Sequence, residues 1–90
     1  MKNFNVIYDD EDVIGKVKDI KECFSYELSK ILTDEKIDIE EKINHIEIIG
    51  DLLSQLGEEF DNTIIKVSYN PMGCYYFNYL SWDNIIKVIF

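Results

Sequence analysis

The chain reads as an α+β domain, a two-layer β-α-α-β-β-β arrangement. An antiparallel helical hairpin packs on one face of a three- to four-stranded, mainly antiparallel sheet. Three observations predict it: period-2 alternation near the start, apolar residues spaced by three and four through the middle, and strand-like runs separated by turn residues over the last third. Ninety residues with 47% hydrophobic content and twelve aromatic rings suffice for one core, so residues 1–90 form a single domain.

The first element is a strand over 3–8, in which Phe4, Val6 and Tyr8 alternate with Asn3, Asn5 and Ile7. The run Asp9-Asp10-Glu11-Asp12 then ends it. Acids at this place cap the first N–H groups of a following helix and complement its dipole. That helix is expected over 11–32, with Val13, Val17, Ile20, Phe24, Leu28 and Ile31 on one face. Asp38 followed by Glu41 reads as an Asp version of the capping box, opening a second helix over 38–60. Its apolar face is Ile39, Ile43, Ile46, Ile49, Leu53, Leu56 and Phe60, with Gly57 a candidate early stop. A short connection makes the two helices antiparallel neighbours.

From residue 63 to 90 the pattern is a strand meander: Ile64 to Tyr69, Cys74 to Leu80 and Ile85 to Phe90. Asn70-Pro71-Met72-Gly73 has Pro second and Gly fourth, as a type I turn prefers. If Ile65, Val67, Tyr75 and Phe77 face the helices, the reverse face presents Ile64, Tyr76, Ile85 and Ile89 among others. That half-apolar face is a candidate interface for a partner or for a second copy of the chain.

The net charge of −9 is unevenly spread. Residues 9–61 hold 17 of the 18 acids and six Lys, while the flanking segments are slightly positive. At ~100° per residue, Glu40, Glu47, Asp51 and Glu58 fall within about 40° of one another, opposite the Ile and Leu face. Their axial gaps are roughly 10, 6 and 10 Å, comparable with phosphate spacing along a nucleic-acid strand. Charged residues normally occupy solvated helix faces. What departs from that pattern is the absence of Lys, because such faces usually alternate sign to gain i,i+4 pairs. Asp9, Asp10, Glu11 and Asp12 form a second acidic cluster.

All nine basic residues are Lys, which removes bidentate guanidinium recognition of phosphate and any arginine finger. Net negative charge opposes direct nucleic-acid binding, whose affinity rests on cationic side chains. No catalytic residues are expected, and neither is a cofactor or metal. Asp10-x-Asp12 with Gly15 starts like a calcium loop but places Ile14 and Lys21 where oxygen ligands are needed. Cys23, Cys74 and His45 lack metal-ligand spacing, and the two cysteines are expected as free thiols. With no apolar run long enough for a signal peptide core or a membrane span, a cytosolic protein is expected.

Fifteen Ile and seven Asn with no Ala point to A/T-rich codons and hence to a low-GC microbe or its virus. In size, acidity and this composition the chain resembles the small viral inhibitors of bacterial defence, the anti-CRISPR and DNA-mimic proteins. The resemblance implies an inhibitor that occupies a basic surface of a nuclease or other nucleic-acid-binding effector, with Glu40, Glu47, Asp51 and Glu58 as contact residues and Asp9, Asp10, Glu11 and Asp12 as a second contact cluster. An immunity protein or antitoxin covering a cognate nuclease toxin uses the same physics. A dimeric structural or regulatory module joined through the sheet is the third reading.

Overall fold

The computed structural model describes residues 4–81. Six elements follow in order: β1 (Val6–Asp9), β2 (Asp12–Lys16), α1 (Val17–Thr33), α2 (Ile39–Leu56), β3 (Ile64–Asn70) and β4 (Cys74–Tyr79). The strands form one antiparallel sheet in the order β1-β2-β3-β4. The α+β class and the helical hairpin on a sheet are as expected from the sequence. The connectivity is not, because it runs β-β-α-α-β-β.

The difference lies at the acidic run. Asp9 to Asp12 do not cap a helix beginning at 11; they close a two-residue hairpin loop in which Asp9 pairs with Asp12. Asp10 sits at φ 58°, the positive value that such loops require and that Asp tolerates better than most residues. Val13 and Ile14, β-branched neighbours, then pair with Tyr8 and Ile7 as a strand. The helix starts at Val17, and its N-cap Lys16 makes no side-chain cap bond. The backbone supplies the partners instead: Val17 N–H donates to the Thr63 carbonyl (2.9 Å) and Lys18 N–H to that of Asp61 (3.1 Å). A helix end satisfied by a distant segment leaves no capping residue in the sequence to find.

At α2 the expected cap is present, with Asp38 Oδ1 accepting from Glu41 N–H at 2.9 Å. The helix closes at Leu56, four residues short of the expected 60, as Gly57, Glu58 and Glu59 form tight turns. In the β3–β4 connection Gly73 N–H donates to the Asn70 carbonyl (2.8 Å), and Asn70 Oδ1 accepts from Met72 N–H (2.9 Å). Gly73 holds φ 95°, a conformation that closes three-residue hairpin loops and favours Gly. The expected strand over 85–90 lies outside the described residues.

The core joins Val17, Ile20 and Phe24 of α1, Ile49, Leu52 and Leu56 of α2, and Ile65 and Val67 of β3. Ile65 and Val67 face the helices as the alternation predicts. Their partners across the β3–β4 ladder, Tyr79 and Phe77, share that face, and so does Tyr75, whose ring meets Phe24 edge-on at 5.1 Å. On the reverse face Ile64 is half-buried and Tyr76 exposed, whereas Ile14 and Ser68 are buried. The centre of that face is therefore closed, and its exposed apolar groups lie at the two edges, Ile7 on β1 and Tyr76 on β4. Ile85 and Ile89 lie outside the described residues.

Only the C-terminal half of α2 reaches the core. Ile39, Ile43 and Ile46, expected on its buried face, are 73, 50 and 43% exposed, and Phe60 is 85% exposed. Eighteen helical residues rise about 27 Å, whereas a strand of six or seven spans about 20–23 Å. The helical hairpin overhangs the sheet.

Candidate acidic interface

α1 lies against β2 and α2 against β4, so α2 forms one flank of the molecule. Its outward side carries Glu40, Glu47 and Asp51, all exposed. Glu58, also exposed, follows in the turn after Leu56. Because Gly57 N–H still donates to the Leu53 carbonyl at 3.0 Å, the chain keeps winding and Glu58 continues the row just beyond the helix. The two ion pairs among the described residues, Lys21–Asp61 (3.5 Å) and Lys66–Asp12 (4.0 Å), leave the row untouched. The bond from Gln55 Nε2 to Asp51 Oδ2 (3.0 Å) uses one carboxylate oxygen and no charge.

The structure does not bring the second acidic cluster to this row. Asp9, Asp10, Glu11 and Asp12 form the hairpin at the β1 edge, across the sheet from the strand that supports α2. Asp12 is further committed to Lys66. What stands beside the row is a group that charge arithmetic does not reveal. Between α2 and the start of β4 runs a shallow cleft lined by Glu47, Ile48, Asp51, Cys74 and Tyr75. It adjoins a second one lined by Asn44, His45, Ile48, Tyr69 and Tyr75. The Tyr69 and Tyr75 rings meet edge-on with centroids 5.0 Å apart. The signal for these residues was the Tyr69/Tyr75 pair flanking Asn70-Pro71-Met72-Gly73, since a hairpin closed there sets the two rings directly opposite each other.

Burial pushes the Tyr75 phenol above its ordinary value, with smaller contributions from Tyr69, Glu27 and Cys23. Tyr8 is raised chiefly by its hydrogen bond with Cys23 (3.6 Å), then by burial. Tyr79 is raised by donating to the Glu59 carboxylate, a bond that ties β4 to the turn after α2. At neutral pH all three phenols are uncharged. Cys23, in α1, is buried and Cys74, at the cleft, exposed; both are free thiols. Among the described residues no group of three or more His, Cys, Asp or Glu is placed to hold a metal ion. No helix among them is long and apolar enough to cross a membrane.

Chemically, the arrangement offers a row of carboxylates about 27 Å long with exposed aromatic and amide groups on one side. That composition suits polar recognition of a large cationic surface. Comparison with protein-family models, with curated proteins and with solved structures gives no match to this chain.

Proposed function

We propose that this chain is a small acidic inhibitor that binds a protein rather than catalysing a reaction. In this reading the outward side of α2 occupies a basic surface on a nucleic-acid-binding defence effector and keeps nucleic acid from it, as anti-CRISPR and DNA-mimic proteins do. The observation that carries the reading is the exposed row Glu40, Glu47, Asp51 and Glu58, free of any Lys partner among the described residues. Four uncompensated carboxylates on one side repel each other, a cost that a cationic partner removes on binding. Tyr69 and Tyr75 beside the row supply the aromatic contact area that protein interfaces favour.

Affinity capture from a bacterial host at low salt tests this. The wild-type chain should retain a nucleic-acid-binding protein and inhibit its binding to DNA or RNA, with both effects weakening as salt is raised. The set Glu40→Lys, Glu47→Lys, Asp51→Lys and Glu58→Lys should lose capture and inhibition together. Capture of the same protein by that set at undiminished affinity would falsify the role of the row.

A further inference from the structure

α2 carries an apolar surface that the core does not use. Ile39, Ile43 and Ile46 are largely exposed, and with Gly50 and with Leu53, which is half-buried against the core, they follow a 4-3-4-3 spacing. This is the a/d seam of a heptad repeat, rising about 21 Å over four turns. Leu32, 42% exposed, borders it from the end of α1, because Lys42 Nζ donates to the Leu32 carbonyl at 3.0 Å and holds the two helix ends together. The space above Gly50 is open: a Cβ placed there would meet nothing within 4 Å.

The flanks of the seam differ in charge. In the heptad frame Glu40 and Glu47 take the e positions on one side. On the other side Lys42 is engaged with α1 and Ile49 turns into the core. The geometry points to this seam as the docking face for a cationic amphipathic helix of a partner protein. Its apolar residues would lie on Ile39, Ile43, Ile46 and Leu32, and its Lys or Arg side chains against Glu40 and Glu47. The inference rests on the reading of the acidic row as a binding edge and names the partner's chemistry. A membrane surface is disfavoured, since amphipathic helices that lie on bilayers carry cations beside their apolar face. A second copy is disfavoured too, because antiparallel self-pairing sets Glu40 and Glu47 of one chain against the same residues of the other, and parallel pairing needs Lys42, already held by the Leu32 carbonyl, to meet Glu47.

The test uses a fluorescein-labelled synthetic helix of about four turns, with Leu at its a and d positions and Lys at e and g. A peptide of the same composition, scrambled so that no apolar stripe forms, is the control. Anisotropy at low salt should give micromolar binding of the amphipathic peptide to the full chain and much weaker binding of the control. The variant Ile39→Ala, Ile43→Ala, Ile46→Ala should bind at least about tenfold more weakly, with circular dichroism confirming an intact helix. Ile43→Lys alone serves if the triple variant is poorly folded. Glu40→Gln with Glu47→Gln should lower affinity and flatten its salt dependence.

Equal binding of the two peptides, or an unchanged affinity of the Ile variants, overturns the seam. The acidic reading survives that result if the four-Lys set still abolishes binding of both peptides. Absence of binding by either peptide overturns both. A dimer in sedimentation that Ile43→Lys converts to monomer assigns the seam to a second copy and also overturns the inference.

Discussion

Gly50→Ala should make the protein more stable. Gly50 lies in the interior of α2, six residues before its last residue, where Gly costs about 0.8–1.0 kcal/mol relative to Ala. Two conditions decide whether that gain is realised. The new methyl group must not collide, and at Gly50 it meets nothing within 4 Å. The backbone must already be one that Ala adopts, and Gly50 is a regular helical residue without positive φ. Little apolar area is buried by the added group, so the expected gain is the propensity difference alone, about 0.9 kcal/mol. Unfolding entropy for ninety residues is about 0.19 kcal/mol/K, which converts that gain to a rise in Tm of about 4–5 °C. Thermal melts followed at 222 nm, with urea titrations showing a higher midpoint at unchanged slope, measure it. An unchanged or lowered Tm at dilute concentration would refute the reasoning, since it would mean that something occupies the space above Gly50.

Other expectations concern the core, the first hairpin and the phenols. Leu52→Ala, at a fully buried site among Ile20, Ile49 and Leu56, should cost about 2–5 kcal/mol in urea unfolding. Asp10→Gly should add about 0.5–1 kcal/mol by relieving the positive φ of the first hairpin, read as a raised denaturation midpoint. Since Tyr75 in the folded chain titrates above its ordinary value near 10, the folded state holds that proton more tightly than the unfolded state. Its contribution is complete below pH 10 and is lost as pH rises through the folded value. Tyr75→Phe, which keeps the ring against Phe24 and Tyr69, should therefore flatten the fall of stability with pH above 10.

Periodicity located both helices and the β3–β4 hairpin, because those signals are local. Asp38 with Glu41, and Asn70-Pro71-Met72-Gly73, form the cap and turn that their residue types favour. The β1–β2 hairpin is not legible in the sequence, because four acids in a row suit a helix start as well as a loop. What decided between them was pairing of Ile7 with Ile14 and of Tyr8 with Val13, together with the lending of Thr63 and Asp61 carbonyls to the start of α1. Those partners are invisible to any window of sequence. Ile39, Ile43 and Ile46 show the same limit: an apolar stripe says that a helix has an apolar side, and only the length of the sheet beneath it says how much of that side is covered. The acidic row was legible because spacing alone defines it. That Tyr69 and Tyr75 face each other follows from the turn between them, but that they stand beside the row does not, since it depends on where β4 lies against α2.

Lys16 and Ile64, which end β2 and begin β3, are register partners although the whole helical hairpin separates them. If the stretch from residue 17 to 63 were a flexible coil, closing it would cost about 3 kcal/mol plus a constant before the first β2–β3 bond formed. A helical hairpin formed beforehand would deliver those ends side by side and remove most of that cost. Val17, Ile20, Leu52 and Leu56, which pack together at its open end, are then the residues whose truncation should slow folding. Ile31, at the far tip, should change mainly the rate at which the protein comes apart. On that order of events the helical layer would set the speed at which the sheet is assembled.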